Sequence, residues 1–248
     1  MSFAYELKSE ICNNRPFRQR FKKALTYGLL LFGKSFDESA VSLHTEHRAV
    51  ARLYADGITD LVRISGSITV REVRRAQRRS VFAATVDDRS DRLAILAFFS
   101  SVIGADHDHI RREQLSEEEI PVFLSGVFLA CAGISNPEKS YRVEFSTPSK
   151  TLADDLETLL SEYVAPPKRT VRRNDYIVYY KESENVEDLL TFIGAPKSSL
   201  ELMEVKIVKD LRNRVNRATN CETANIGKTV DAAITQIADI HLIETSCG

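Results

Sequence analysis

The chain has 248 residues, of which 43% are hydrophobic and 28% charged, and its 34 Lys and Arg against 35 Asp and Glu leave a formal net charge of −1. These are the proportions of a globular protein with room for one large or two small domains around a proper core. They exclude a membrane-spanning chain, because no apolar run approaches roughly 20 residues, and they exclude bulk charge as an argument for nucleic acid. The opening Met1-Ser-Phe-Ala-Tyr-Glu-Leu-Lys-Ser-Glu10 lacks the basic stretch followed by an apolar one that marks a secretory signal. Cys12, Cys131, Cys221 and Cys247 are scattered, with no CxxC or Cys/His ligand spacing, so reduced thiols in a cytosolic protein without structural zinc are expected.

In chain order, Leu25, Leu29 and Phe32 at helical spacing predict a helix from about Phe17 to Phe32. Val41-Ser-Leu-His-Thr45 reads as a strand and Arg48 to Tyr54 as a helix. Leu61 to Val70 and Ser80 to Val86 read as strands joined by an arginine-rich connection, and a helix from about Ser90 to Ile103 stops at Gly104. The order then repeats. A helix runs from about Ile120 to Cys131. Tyr141, Val143 and Phe145 alternate with Arg142 and Glu144 as a half-buried strand. Thr147-Pro148-Ser149 opens a helix with Leu152, Leu156, Leu159 and Leu160 as its apolar stripe. Arg169 to Arg173 and Tyr176 to Lys181 form a hairpin across Asn174-Asp175, and a helix from about Val186 to Ile193 stops at Gly194. Gly28-Leu-Leu-Leu matches Gly126-Val-Phe-Leu, so each half reads α-β-α-β-β-α and the pair suggests a pseudo-two-fold α+β domain. Helix–strand alternation is common, and the pattern alone leaves chance similarity open.

The last third changes character. Leu200 to Ala218 reads as one long helix with Ile207, Val208, Leu211 and Val215 on one side and Lys206, Lys209, Asn213 and Arg217 on the other. A turn through Asn220 to Asn225 and a second helix with Val230, Ala233, Ile234 and Ile237 follow. A charge stripe is by default a solvated face; the alternative is that Lys206, Lys209 and Arg217 touch phosphates.

The segment Phe123-Leu-Ser-Gly-Val-Phe-Leu-Ala-Cys-Ala-Gly-Ile-Ser-Asn-Pro137 carries small residues (Ser125, Gly126, Ala130, Ala132) on one side of an apolar helix. It resembles the LAGLIDADG helix of homing endonucleases, in which two such helices pack together and an acidic residue at the end of each holds a metal ion over DNA. Here the motif's two Asp positions fall on Leu129 and Cys131 and its closing Gly on Ala132, and neither Leu nor Cys is a hard oxygen ligand. Ser135-Asn-Pro-Glu-Lys-Ser-Tyr141, Val208-Lys-Asp-Leu-Arg-Asn213 and the long block from Val215 to Val230 are similar to the bacterial WhiA regulators. This resemblance implies a duplicated, pseudo-two-fold LAGLIDADG homing-endonuclease-like α+β domain with halves at 1–116 and 117–198, and a helical linker at 199–248. It also implies a cytoplasmic, nucleoid-associated DNA-binding transcriptional regulator of sporulation, cell division and chromosome segregation. Members of that family carry a C-terminal helix-turn-helix domain after the linker. This sequence ends at Ile243-Glu-Thr-Ser-Cys-Gly248, about where that domain should begin, so the expectation is that it is either truncated or a variant lacking the domain.

Arg63, Arg71, Arg74, Arg75, Arg78 and Arg79 crowd one hairpin, and Lys168, Arg169, Arg172 and Arg173 crowd its counterpart. A basic two-stranded ribbon can enter a DNA groove, against the plainer reading of a solvated loop. Asp106-His107-Asp108-His109 looks like a ligand cluster, but neighbours in a linker do not converge on one ion, so a polar loop is expected. His44 and His47 are expected at the surface, Ser135 and Asn136 in a turn capping the motif helix, and Glu222 as the cap of the helix that follows it. The expectation is a non-enzymatic protein without cofactor or metal, whose partner is double-stranded DNA. One rival is a module that binds a protein partner or the full-length regulator. The other is a metal-dependent endonuclease, for which Asp37 and Glu38 are the acids near the first helix end.

Overall fold

The computed structural model describes residues 2–14, 18–64, 66–73, 80–103 and 108–246. They fall into two compact units, Met1–Met203 and Glu204–Gly248. After α1 (Phe3–Asn13), the first half consists of α2 (Gln19–Leu31), β1 (Ser35–Phe36), β2 (Val41–Thr45), α3 (Arg48–Leu61), β3 (Ile68–Val73), β4 (Val81–Val86) and α4 (Arg89–Ile103). A single 3-10 turn, Arg112–Gln114, lies in the connection. The second half follows as α5 (Ile120–Cys131), β5 (Ala132–Ile134), β6 (Val143–Thr147), α6 (Lys150–Tyr163), β7 (Lys168–Arg172), β8 (Asp175–Tyr180) and α7 (Ser183–Phe192), and the chain continues as α8 (Pro196–Ser246).

The sheets have the same antiparallel order, β1-β2-β4-β3 and β5-β6-β8-β7, so the duplicated α+β architecture expected from sequence is present. Each half gains a strand over the sequence pattern, giving α-β-β-α-β-β-α. Strands of two and three residues are too short to show a period of two. The leading helix α1 is a further addition; it buries Phe3, Leu7, Ile11 and Cys12 on one face.

Helices α2 and α5 are apolar around most of their circumference. Ala24 to Leu31 and Phe123 to Leu129 are all buried, as befits central helices. Glycine sets how they meet. A Cβ on Gly28 would lie 2.3 Å from Phe123 O and 2.9 Å from Val127 N, and one on Gly126 would lie 2.2 Å from Leu25 O and 3.2 Å from Gly28 Cα. The two backbones therefore touch. Around this pair a single core runs through both halves, with Leu43, Ala84 and Val86 from one sheet and Val143, Phe145, Val178 and Tyr180 from the other.

The β7–β8 turn sits one residue earlier than expected. Its central residues are Arg173 (φ 54) and Asn174 (φ 71), both left-handed, as a two-residue I′ hairpin turn requires, and Asp175 already pairs with Arg172. The expected turn through Asn220 to Asn225 is absent, and so is a separate helix beyond it; these residues lie inside α8. Nothing in that stretch breaks a helix, and the hydroxyls that could compete with the backbone bond back within it, Thr223 Oγ1 to Thr219 O at 2.9 Å and Thr229 Oγ1 to Asn225 O at 2.9 Å. Glu222 is accordingly an exposed mid-helix residue and caps nothing. The start of α8 is capped from far away: Glu10 of α1 accepts hydrogen bonds from Lys197 N (2.8 Å), Ser198 N (2.9 Å) and Ser198 Oγ (2.6 Å).

Because the Gly28–Gly126 contact is backbone on backbone, Gly28→Ala and Gly126→Ala are each expected to cost about 3 kcal/mol or to prevent folding. Gly133→Ala, where a Cβ meets nothing within 4 Å, should stay within about 0.5 kcal/mol. Thermal denaturation of the three variants measures this, and equal midpoints would refute the close contact.

Candidate nucleic-acid interface

Strand register decides which basic residues share a face. In the first sheet, Leu43, Ala84 and Val70 form a row toward the helices, which places the neighbouring rows Ser42–Thr85–Thr69 and His44–Ala83–Arg71 on the open face. Thr69 and Thr85 hydroxyls are 3.1 Å apart and both donate to Asp87, at 3.0 and 3.2 Å; Arg71, 74% exposed, reaches the same carboxylate at 3.9 Å. Arg63 is exposed after α3. Arg74, Arg75, Arg78 and Arg79 lie outside the described residues.

In the second sheet the row Gly133–Glu144–Tyr179–Lys168 and the pair Asp175–Arg172 lie on the open face. Arg172 Nη2 donates to Glu144 Oε2 at 2.9 Å, and Arg142 pairs with the same carboxylate while lying over the Tyr179 ring at 4.1 Å. These guanidinium groups hold the Glu144 carboxyl below the usual range against the opposing effect of burial. Lys168 Nζ reaches Glu182 at 2.7 Å. Arg169 points the other way, toward α6, where it pairs with Asp154 and with Glu157 (3.5 Å) and lies over Tyr176 at 5.1 Å. Arg173 is exposed at the hairpin tip. So the compact run in sequence is divided in space: Lys168 and Arg172 on the open face, Arg169 on the helix side, Arg173 at the turn. Lys168, Arg169 and Arg172 each hold a carboxylate partner. Exposed pairs of this kind are weak in water, so a phosphate can displace the carboxylate. In the second unit, Lys206 and Lys209 are half-buried on α8 and Arg217 is exposed.

The ends of the central helices carry no hard metal ligand. α2 ends at Leu31, followed by Phe32 and Gly33, and α5 ends at Cys131. Asp37 is engaged in its own loop, accepting from Ser39 N at 2.7 Å and Ala40 N at 3.0 Å. At the end of α5 stands a cation instead: Lys8 of α1 donates to Leu129 O at 3.3 Å, and burial lowers its pKa. Burial pushes the neighbouring Cys131 thiol up to about 12. Among the described residues no group of three or more His, Cys, Asp and Glu gathers where it could hold a metal ion.

Several expectations are corrected. His47 is buried, 4% exposed, with its ring 4.2 Å from that of Tyr5 and its Nε2 3.0 Å from Ser9 Oγ; burial lowers its pKa. Only His44 of the two is at the surface. Ser135 and Asn136 follow β5 rather than cap α5, and form a turn in which Asn136 Oδ1 accepts from Glu138 N at 2.9 Å. His109 pairs with Asp155 at 3.1 Å, tying the connection to α6, while Asp106 and His107 lie outside the described residues. The sequence reading passed over Arg142 and Tyr179 as face residues, although the Tyr141–Phe145 alternation places Arg142 opposite the buried set. Lys8 had no signal at all, because only folding brings α1 to the end of α5.

Residues 120–212 match the family model described as the WhiA LAGLIDADG-like domain, and residues 215–248 match the one described as the WhiA C-terminal HTH domain. The whole chain is similar to the probable cell division protein WhiA of Clostridium novyi (strain NT), 34% identical over 259 residues that cover 100% of this chain and 82% of the relative. The crystal structure of full-length DUF199/WhiA from Thermatoga maritima has a TM-score of 0.63 at 17% identity, covering 93% of this chain and 75% of that one. That of the N-terminal LAGLIDADG domain of DUF199/WhiA has a TM-score of 0.55 at 17% identity, covering 78% and 92%. The two structures speak to fold alone. The match over 215–248 overturns the expectation that the helix-turn-helix is missing. The matched segment includes the block Val215 to Val230.

With its thiol raised to about 12, Cys131 should alkylate at pH 8 at least about a hundredfold more slowly than exposed Cys221. Peptide mass spectrometry after brief iodoacetamide treatment of native protein reads the ratio, and equal labelling would show that the thiol is not held neutral.

Proposed function

The chain belongs to the WhiA family, and from that premise we propose that it is a DNA-binding transcriptional regulator acting in bacterial cell division, on a nuclease-like scaffold that performs no metal chemistry. The observation that carries this reading is the match of residues 215–248 to the WhiA C-terminal HTH domain. In this proposal the segment that matches the HTH model, whose described residues lie within the single helix α8, reads promoter sequence, and the first unit holds the phosphate backbone with its open sheet faces. Lys168, Arg172, Arg173, Arg71 and Arg63 supply those contacts, together with Arg74, Arg75, Arg78 and Arg79 of the first connection. On α8, Lys206, Lys209 and Arg217 add to them. Phosphate contacts of this type position a protein without reading sequence. The protein would act at the nucleoid, in the cytoplasm, and its targets would include genes of sporulation and chromosome segregation.

Catalysis has no support at the helix ends. A two-oxygen magnesium site needs carboxylates there, and the chain supplies Phe32, Cys131 and the Lys8 ammonium. A second reading, docking to a partner protein, is favoured by one feature: Val208, Leu211, Val215, Ile226, Val230, Ile234 and Ile237 of α8 are all at least half exposed.

The test is anisotropy of labelled duplex DNA with the full chain across about 50 to 200 mM salt. Affinity should fall by about tenfold or more, as counterion release demands. Replacing Lys168, Arg172 and Arg173 together by Ala should weaken binding and flatten the salt slope by about two to three, while Arg169→Ala leaves both unchanged. Absence of binding at the lowest salt would transfer the function to the protein-docking reading. No magnesium-dependent nicking is expected, and Asp37→Ala should change nothing.

A further inference from the structure

A cavity of about 740 Å³ opens where α1, the β2–α3 connection, β4 and the junction of α5 with β5 come together. Small-ligand sites typically span roughly 300–1,000 Å³. Its walls mix the Tyr5 and Phe82 rings and the aliphatic Ala130, Ala132 and Ile134 with the imidazoles of His44 and His47 and the hydroxyl groups of Ser2, Thr45 and Ser80. Thr45 Oγ1 accepts from His47 N at 3.1 Å, which leaves its own proton to donate.

Among the described residues, Lys8 is the one lysine or arginine that lines this space. An ammonium carries three donors, and Leu129 O takes one of those of Lys8, at 3.3 Å. Two of the groups facing Lys8 carry no charge, and one opposes it. The Cys131 thiol is held neutral by burial, and the His47 imidazole is held neutral by burial and by Lys8 itself. Glu46, from the β2–α3 connection, is the acid facing it. A half-buried cation among hydroxyls, at one end of a partly apolar cavity, suits an anion with several acceptor oxygens attached to a flat or apolar body.

We propose that this cavity is a ligand site for a small phosphorylated molecule, with the phosphoryl group seated on Lys8 and the hydroxyls and the body lying against Tyr5 and Phe82. DNA is the poorer occupant, because a strand needs a line of cations, whereas the described lining of this cavity holds one ammonium and no guanidinium. The site does not depend on the DNA-binding reading, and the two can fail separately.

The experiment is thermal shift and calorimetry on the full chain with inorganic phosphate, AMP, adenosine and a short duplex DNA. AMP and phosphate should raise the melting temperature saturably, as a ligand of the native state does, and adenosine should not. Lys8→Met should abolish the rise. Glu46→Gln, which removes the opposing charge without touching the seat, should tighten phosphate binding by about threefold or more, and it keeps the proposal testable should Lys8→Met fold poorly. The proposal is overturned if neither phosphate nor AMP binds below about 10 mM, if binding survives Lys8→Met, or if Glu46→Gln leaves affinity unchanged. Lys8-dependent binding of duplex DNA with none of AMP or phosphate would likewise overturn it, and would assign the cavity to the DNA path.

Discussion

The direct contact of two helix backbones through Gly28 and Gly126 is the constraint from which the first unit follows. With no side chain between them, α2 and α5 pack at a distance that only hydrogen at Cα permits. Each helix then leads into the first strand of a sheet, β1 after a short turn and β5 at once. Gly33 continues the theme, since a Cβ there would lie 2.9 Å from Ser42 O of β2. The repeated strand order, the continuous core and the open sheet faces are all placed by this central pair. So is the cavity, whose walls come from β2 and β4 of one half and from α5 and β5 of the other.

What was legible in the sequence was whatever repeats at a fixed spacing. The motif helix was read to its ends because Phe123 to Leu129 is uniformly apolar and carries a glycine, and the two halves were matched because Gly28 and Gly126 head the same local pattern. Register could not be read in advance. Lys168, Arg169, Arg172 and Arg173 form one block in sequence, yet pleating sends Arg169 to the helix side, and a turn with positive φ at Arg173 and Asn174 rotates the tip. The run of arginines also conceals its partners: Glu144 and Asp154 come from β6 and α6, and Glu182 from the start of α7. His47 looked like a surface histidine because nothing nearby in sequence announces that Tyr5 and Ser9 of α1 will cover it.

The helix α1 joins elements that the duplicated pattern leaves open. Lys8 meets Leu129 O at the end of α5, Asn14 donates to Gly194 O at 2.9 Å beyond α7, and Glu10 caps α8. Each partner is a backbone group at a helix terminus, where peptide groups lack an intrahelical partner. A helix with ordinary amphipathic composition thus becomes the polar clasp of the unit, closed by Lys8, Glu10 and Asn14.

The Glu10–Ser198 bond joins residues 188 apart in the chain, which bears on synthesis. A ribosome delivers α1 first and its cap partners nearly last, so an emerging chain carries Glu10 and Asn14 unmatched until the segment beyond α7 has left the exit tunnel. Contacts of such separation slow folding, because the loop they close must be ordered before they stabilise anything. The first half can assemble its own sheet early, but the unit locks only when residues near 198 arrive. Translation pauses after that point would favour productive folding, and pauses before it would prolong exposure of the apolar faces of α2 and α1.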